Sequence, residues 1–298
     1  DPDWSNIGQT FDAGRISFTW GNPNLKLDLF GGNLTASKSP REANELFDRS
    51  TKETLGGYYA SWAIDKKLTV EQYLYSRKTN KNISFGPSGT GELDEYTMGG
   101  RLMAKELHGF DYELELAGQW GDFNDKNVSA FMGIAILGYT FNAPWKPRVF
   151  GEYNYASGDA DPTDGTRHTF DNLYPANHAY YGYMDLVGLQ NLNNYRLGAS
   201  INPTDKLKLT VDSHFVYLDT PKDSFYSASR TASRTAAAGS GDLSSYVGDE
   251  LDLWASYKLC SYANVAVGYS HFVAGKYLAQ TGANDDADFF YLQTVLNF

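Results

Sequence analysis

The sequence predicts an all-β fold, a transmembrane antiparallel up-and-down β-barrel. Three observations carry that expectation. The chain divides into about thirteen strand-like segments of period-two alternation, the connections between them alternate between short and long, and the last segment closes on an aromatic residue. In that segment, Ala287–Phe298, the side chains of Phe290, Leu292, Leu296 and Phe298 share one face, as lipid-facing positions do. A membrane barrel sorts its connections by parity because its periplasmic turns are short and its extracellular loops long. A soluble sandwich or propeller has no reason to do so.

Composition agrees. The chain is 42% hydrophobic and 15% aromatic, with 22 Tyr, 17 Phe, 6 Trp and 29 Gly. A mean hydropathy of -0.46 is low, and no uncharged run approaches the roughly 18–20 residues of a membrane helix. Barrel strands need only about 9–11 residues with alternate positions apolar, so a low average is expected of them. A net charge of -11 argues against a nucleic-acid partner, which calls for a basic patch. The single cysteine, Cys260, excludes an internal disulfide or a cysteine metal pair. The opening Asp1-Pro2-Asp3-Trp4 is no signal peptide, so an exported protein would be numbered here from after processing.

In order, the predicted strands are Thr10–Trp20, Leu25–Leu34, Gly57–Ile64, Leu68–Lys78, Glu95–Lys105, Phe110–Gly121 and Val128–Phe141. Pro147–Ala156, Asn194–Ile201, Leu207–Leu218, Glu250–Leu259, Asn264–Val273 and Asp288–Phe298 follow. The short connections, such as Gly21–Asn24, Asp65–Lys67 and Asn202–Lys206, have the Gly, Pro, Asn, Asp or Ser content of tight turns. The long ones are Thr35–Gly56, Thr79–Asp94, Ala156–Asn193, Asp219–Asp249 and Ala274–Ala287, with a moderate one at Asp122–Asn127. If the last strand runs toward the periplasm, counting back makes the first run the same way. An even total then requires an odd number of strands before Asp1, or a count wrong by one. This reading gives one barrel domain over residues 1–298, part of a 14- to 18-stranded barrel, with Asp1–Gln9 the end of an extracellular loop.

With apolar positions outward, the other parity lines the pore. Ile16, Phe18 and Trp20 place Arg15 inside; Leu25, Leu27 and Leu29 do the same for Lys26. By the same rule Glu71, Arg77, Arg101, Lys105, Glu113, Glu115, Arg148, Glu152, Arg196, Asp252 and Lys258 face the lumen. Strand Val128–Phe141 is apolar on both faces and cannot be assigned. A ladder of Arg and Lys can pass an anionic solute between closely spaced sites, and tyrosine faces can stack on sugar rings. The alternative is that these arginines pair with Glu or Asp and only support the wall.

Asp159, Asp161 and Asp164 in the loop after Ala156 could hold calcium, although the twelfth position of an EF-hand loop is Phe170 rather than Glu. The alternative is an acidic solvated loop. A membrane phospholipase needs Ser and His on one face within hydrogen-bond reach. Ser213-His214 and Ser270-His271 are adjacent and point oppositely, so no enzyme is expected, and no zinc spacing is present. Ser224–Gly241, rich in Ser and Ala, reads as a mobile loop.

The run Ser157-Gly158-Asp159, Thr169-Phe170, Tyr174-Pro175, His178, Tyr181-Gly182, Asp185 and Gln190-Asn191-Leu192 resembles the alginate-export family of outer-membrane barrels. Trp4-Ser5-Asn6, Phe11-Asp12, Arg15, Gly99-Gly100-Arg101, Glu250-Leu251-Asp252 and Tyr291–Phe298 extend the likeness along the chain. It implies a monomeric porin-like barrel in the Gram-negative outer membrane, longer than this chain, whose founding members export the anionic polysaccharide alginate through an arginine-rich pore. Acidic residues among the basic ones here leave anion selectivity open, and a fold does not fix its solute.

The expectation is therefore a channel in outer-membrane lipid for a hydrophilic solute, anionic polysaccharide included. The alternatives are a scaffold for another envelope protein and a general diffusion porin. The loop Thr166–Asn193, with Tyr174, His178, Tyr181, Tyr183 and Asp185, either folds inward to narrow the pore or covers its rim.

Overall fold

The computed structural model describes residues 10–21, 24–35, 53–174, 178, 180–236 and 241–297. The readings of Asp1–Gln9 as loop end, of Trp4–Asn6 as a motif and of Phe298 as the closing lipid-facing aromatic lie outside these residues, as does most of the Thr35–Gly56 connection.

The strands are β1 (Thr10–Trp20), β2 (Asn24–Thr35), β3 (Glu53–Ala63), β4 (Leu68–Ser84), β5 (Thr90–Leu107), β6 (Phe110–Phe123), β7 (Lys126–Thr140) and β8 (Arg148–Ala156). Next come β9 (Thr166–Arg167), β10 (Leu192–Ile201), β11 (Leu207–Tyr217), β12 (Phe225–Tyr226) and β13 (Ala232–Arg234). The chain continues with β14 (Tyr246–Cys260), β15 (Ala263–Ala274), the short helix α1 (Lys276–Thr281) and β16 (Ala287–Leu296).

The main sheet runs β1-β2-β3-β4-β5-β6-β7-β8-β10-β11-β14-β15-β16, every neighbour antiparallel, with β9 added in parallel to β7. These thirteen strands in sequence order are the thirteen segments legible in the sequence. Each inner strand of such a meander satisfies its backbone donors and acceptors through its two neighbours, as the interior of a bilayer requires, while among the described residues β1 and β16 each pair with one strand.

The outward parity is apolar and open: Ile16, Leu116, Phe131, Leu137, Leu197, Phe290 and Leu292 are all exposed. Phe18 stacks beside Trp20, and Tyr96 beside Trp120, giving the kind of aromatic pairs found at membrane interfaces.

Three expectations are corrected. The stretch Thr79–Asp94 is mostly strand, not loop: β4 and β5 have 17 and 18 residues and meet through a 3-10 turn at Gly86–Ser88. Both exceed the 9–11 residues that cross a bilayer, so the hairpin projects past it. Its tip packs Phe85 edge-on against Phe123 of β6, with Leu93 and Val128 beside them. The β6–β7 connection is correspondingly only Asn124–Asp125, so strict alternation of loop length fails there. Lastly, Ser224–Gly241 is no featureless loop. It contains the β12–β13 hairpin, with Ser224, Phe225 and Tyr226 buried.

The unassignable strand now has a physical explanation. On β7, Val128, Ala130, Met132 and Ile134 are buried while Phe131 and Leu137 face out. Ala130, Met132 and Ile134 belong to one hydrophobic cluster with Phe170, Tyr181, Val187 and Leu189 of the 157–191 connection, while Val128 joins Phe85, Leu93 and Phe123. Its inner face is apolar because it meets a packed segment, not solvent.

A candidate pore and its inserted loop

β8 and β10 pair directly, from Leu192 opposite Ala156 to Ser200 opposite Arg148, so residues 157–191 leave and rejoin the wall at neighbouring points. That segment lies against inward faces on several sides. The Gln119 amide on β6 donates to the Asp171 carbonyl (2.8 Å) and accepts from the Asp171 N–H (2.7 Å). On the opposite side, the backbone N–H groups of Met184 and Tyr183 donate to Glu250 (2.9 Å) and Asp252 (3.4 Å) of β14.

Arginines fix the same segment. Arg77 pairs with Glu53 at 2.8 Å and with Asp171, all three side chains almost fully buried. Arg230 approaches Asp171 at 3.6 Å from the neighbouring loop. Burial pushes the Asp171 carboxyl up, but the Arg77, Arg230 and Arg167 cations outweigh it and hold that group below the usual carboxylate range. Arg167 is paired with Glu95, and its guanidinium lies 3.9 Å from the Phe85 ring centre. Parity alone put Arg77 in the lumen; the structure puts it there, but beneath the loop.

A third tie joins two loops. Asn191 donates through its amide to the carbonyls of Thr220 and Ser224 (both 2.9 Å) and accepts from the Thr220 N–H (2.8 Å). Asp223 accepts from the Asp159 N–H (2.9 Å), the Thr169 hydroxyl (2.5 Å) and the Tyr226 hydroxyl (2.8 Å). Burial raises the Asp223 carboxyl, and these hydrogen bonds only partly reverse that.

The wall charges are largely paired. Arg101 contacts Glu113 (2.8 Å), Glu71 (3.6 Å) and Glu115 (3.9 Å). Arg196 spans Glu152 (3.1 Å) and Asp212 (2.5 Å). Arg148 holds Asp111 in a two-point contact of 2.9 and 2.5 Å, and Lys26 meets Asp28 at 2.9 Å. Arg15 and Lys258 are exposed. Lys105 sits at the short-turn end, where Lys66, Lys67 and Lys146 share its cavity of about 700 Å³.

Of the loop residues expected at the pore, Tyr181 is buried in the core cluster, and the Tyr174 hydroxyl donates to Glu53 at 3.0 Å. His178 Nδ1 lies 3.1 Å from Asp185 Oδ2, and Tyr183 stacks on Tyr291 of β16. The three loop aspartates do not converge. Asp159 is buried and accepts from Ser88, Asp161 from Thr163, and Asp164 from the Thr166 N–H. Among the described residues no group of three His, Cys, Asp or Glu is placed to hold a metal ion.

Glu53, Glu95, Arg167, Asp171, Asn191 and Asp223 were missed in the sequence. Asn191 lay in a run already singled out as a motif, and Glu95 shares the inward parity of Arg101 on β5 and was open to the same rule; Glu53, Arg167, Asp171 and Asp223 stand in loops or at strand ends, where parity says nothing.

The fold and lumen define an outer-membrane β-barrel of the channel class. By a family-model match over residues 1–291, described as alginate export, the chain belongs to the alginate export family. It is a protein of the Gram-negative outer membrane. Among solved structures it is similar to OccK11 (OpdR) of Pseudomonas aeruginosa, with TM-score 0.59 and 12% identity, covering 99% of this chain and 72% of that one. It is also similar to OccK3 (OpdO) of the same organism, with TM-score 0.57 and 11% identity, covering 98% and 71%. These likenesses concern the fold. No curated protein matches the chain in sequence.

Proposed function

We propose that the protein is a monomeric, single-domain channel that passes a hydrophilic saccharide without covalent chemistry, its aperture set by the loop 157–191. The observation that carries this is the double attachment of that loop inside the wall, to Arg77 and Gln119 on one side and to Glu250 and Asp252 on the other. A segment so held narrows a pore without being part of its wall. The pairing of Arg77, Arg101, Arg148 and Arg196 with carboxylates argues against strong anion selectivity, since an offset guanidinium leaves little positive field for a passing ion.

A second reading, passage of an anionic polysaccharide, is favoured by the cluster of Lys66, Lys67, Lys105 and Lys146 at the short-turn end. Planar-bilayer recording of the purified protein under a KCl gradient tests both. Conductance with a reversal potential near zero supports the first reading, and marked anion selectivity with block by oligouronates supports the second. Absence of conductance rejects both in favour of a scaffold that serves another envelope protein.

A further inference from the structure

A cavity of about 880 Å³ lies between the loop and β14–β16. Its wall includes Tyr183 from the loop, Trp254 of β14, and Phe289 and Tyr291 of β16. Phe289, Tyr291 and Tyr183 stand in file. Adjacent ring centres are 5.8 and 5.7 Å apart, and the planes are tilted by only 28° and 4°. Trp254 lies 5.8 Å beyond Tyr183, with the Lys208 ammonium 5.5 Å from its ring.

The rings are placed for a ligand. Phe289 and Tyr291 are on the inward parity, opposite Ser270 and Gly268, and are not covered by the core cluster. Gly268 leaves room for the Tyr291 ring, because a Cβ there would lie 2.2 Å from it. Ser256, Asn264 and Gln293 edge the same cavity with hydroxyl and amide groups. Aromatic faces with a few polar groups around them are the composition of a small-ligand pocket. The spacing along the file is comparable to the rise of one pyranose unit along a chain. Each unit can lay its C–H face on a ring while its hydroxyls reach the polar edge.

The nearby charge is acidic. Asp185 lines the cavity, and Glu250 and Asp252 lie directly behind Met184 and Tyr183. Glu250 and Asp252 are themselves buried, with His214 Nε2 3.7 Å from Asp252 Oδ2, so the carboxylate that faces the cavity directly is Asp185. A uronate is repelled there, whereas a neutral sugar is not.

We propose that Phe289, Tyr291, Tyr183 and Trp254 form a stacking subsite for neutral pyranose units inside the lumen. The inference rests on the saccharide-channel reading and specifies its ligand. The test uses the whole protein with two probes, neutral maltohexaose and hexamannuronate. Each is read by single-channel block in bilayers and by Trp254 fluorescence in detergent, isolated as wild type minus Trp254→Phe. Maltohexaose should block transiently and change the Trp254 signal, more strongly than hexamannuronate. Tyr291→Ala and Tyr183→Ala should shorten its residence roughly five- to tenfold, while Tyr291→Phe keeps the ring and the block. Unchanged block in both alanine variants, or stronger binding of the uronate, overturns the subsite and leaves the channel standing. No conductance overturns the channel, and the Trp254 signal then decides the subsite alone.

Discussion

Arg77 of β4 and Asp171 of the inserted loop, 94 residues apart, form an ion pair in which each side chain is only 2% exposed. Removing one member of such a pair leaves an uncompensated buried charge and costs about 3–5 kcal/mol. Arg77→Ala should therefore release the loop while the wall stays paired. The expected result is a higher and noisier single-channel conductance, together with faster proteolysis within residues 157–191. A conductance equal to wild type would show that the loop does not set the aperture.

The same pair gives the docked loop an acid limit. The neighbouring arginines hold the Asp171 carboxyl below the ordinary aspartate range in the folded protein, so its contribution is present above that range. It is lost as pH falls through the lower folded value. Conductance should be steady at neutral pH and rise only in strong acid. Asp171→Asn should remove that step. A step at the same pH in the variant would assign it to another group.

Arg101 contacts Glu71, Glu113 and Glu115 and offsets part of their charge. Arg101→Ala should expose all three carboxylates to the lumen and move the reversal potential several-fold toward cation permeability, with a smaller effect at high salt. Arg101→Lys should restore part of the wild-type value. No change would mean that ions pass elsewhere in the cross-section.

Gly57 of β3 has φ of +149°, and a Cβ there would lie 2.0 Å from the Leu74 carbonyl oxygen of β4. Gly57→Ala should cost about 1–3 kcal/mol by forcing the two backbones apart. The readout is the temperature at which the folded band is lost in semi-native electrophoresis, and it should fall.

Leu197 is 60% exposed on the outward face of β10. Leu197→Arg should cost about 2–4 kcal/mol if that position is near the bilayer midplane, seen as a lowered yield of inserted protein in a lipid-vesicle folding assay. Wild-type yield would place Leu197 outside the hydrocarbon.

Period two made the wall legible. The segment Thr10–Trp20 matches β1 in full, and Leu207–Leu218 overruns β11 by one residue, because each such strand has lipid on one side and polar groups on the other. Where a third environment intervenes the rule fails. β7 could not be oriented because its inner face meets Phe170 and Tyr181. β4 and β5 extend past the segments that alternation predicts, over Thr79–Ser84 and Thr90–Asp94, because strands of 17 and 18 residues exceed what a bilayer needs and no lipid imposes alternation on the excess. The lumen arginines were found by parity, but their partners depend on register. Arg77–Asp171 and Arg167–Glu95 join chain segments that no local pattern connects.

Because Ala156 and Leu192 are register partners, the 157–191 excursion leaves and re-enters the meander at a single rung, and only its two-residue strand β9 pairs with the wall again. Insertions, deletions or replacements within it can alter what the lumen admits without moving any strand pair of the thirteen-strand meander or changing the barrel's circumference. Selectivity and architecture can thus diverge independently: one scaffold can acquire new cargo by exchanging a cassette, and the graft point for engineering such an exchange is the Ala156–Leu192 rung.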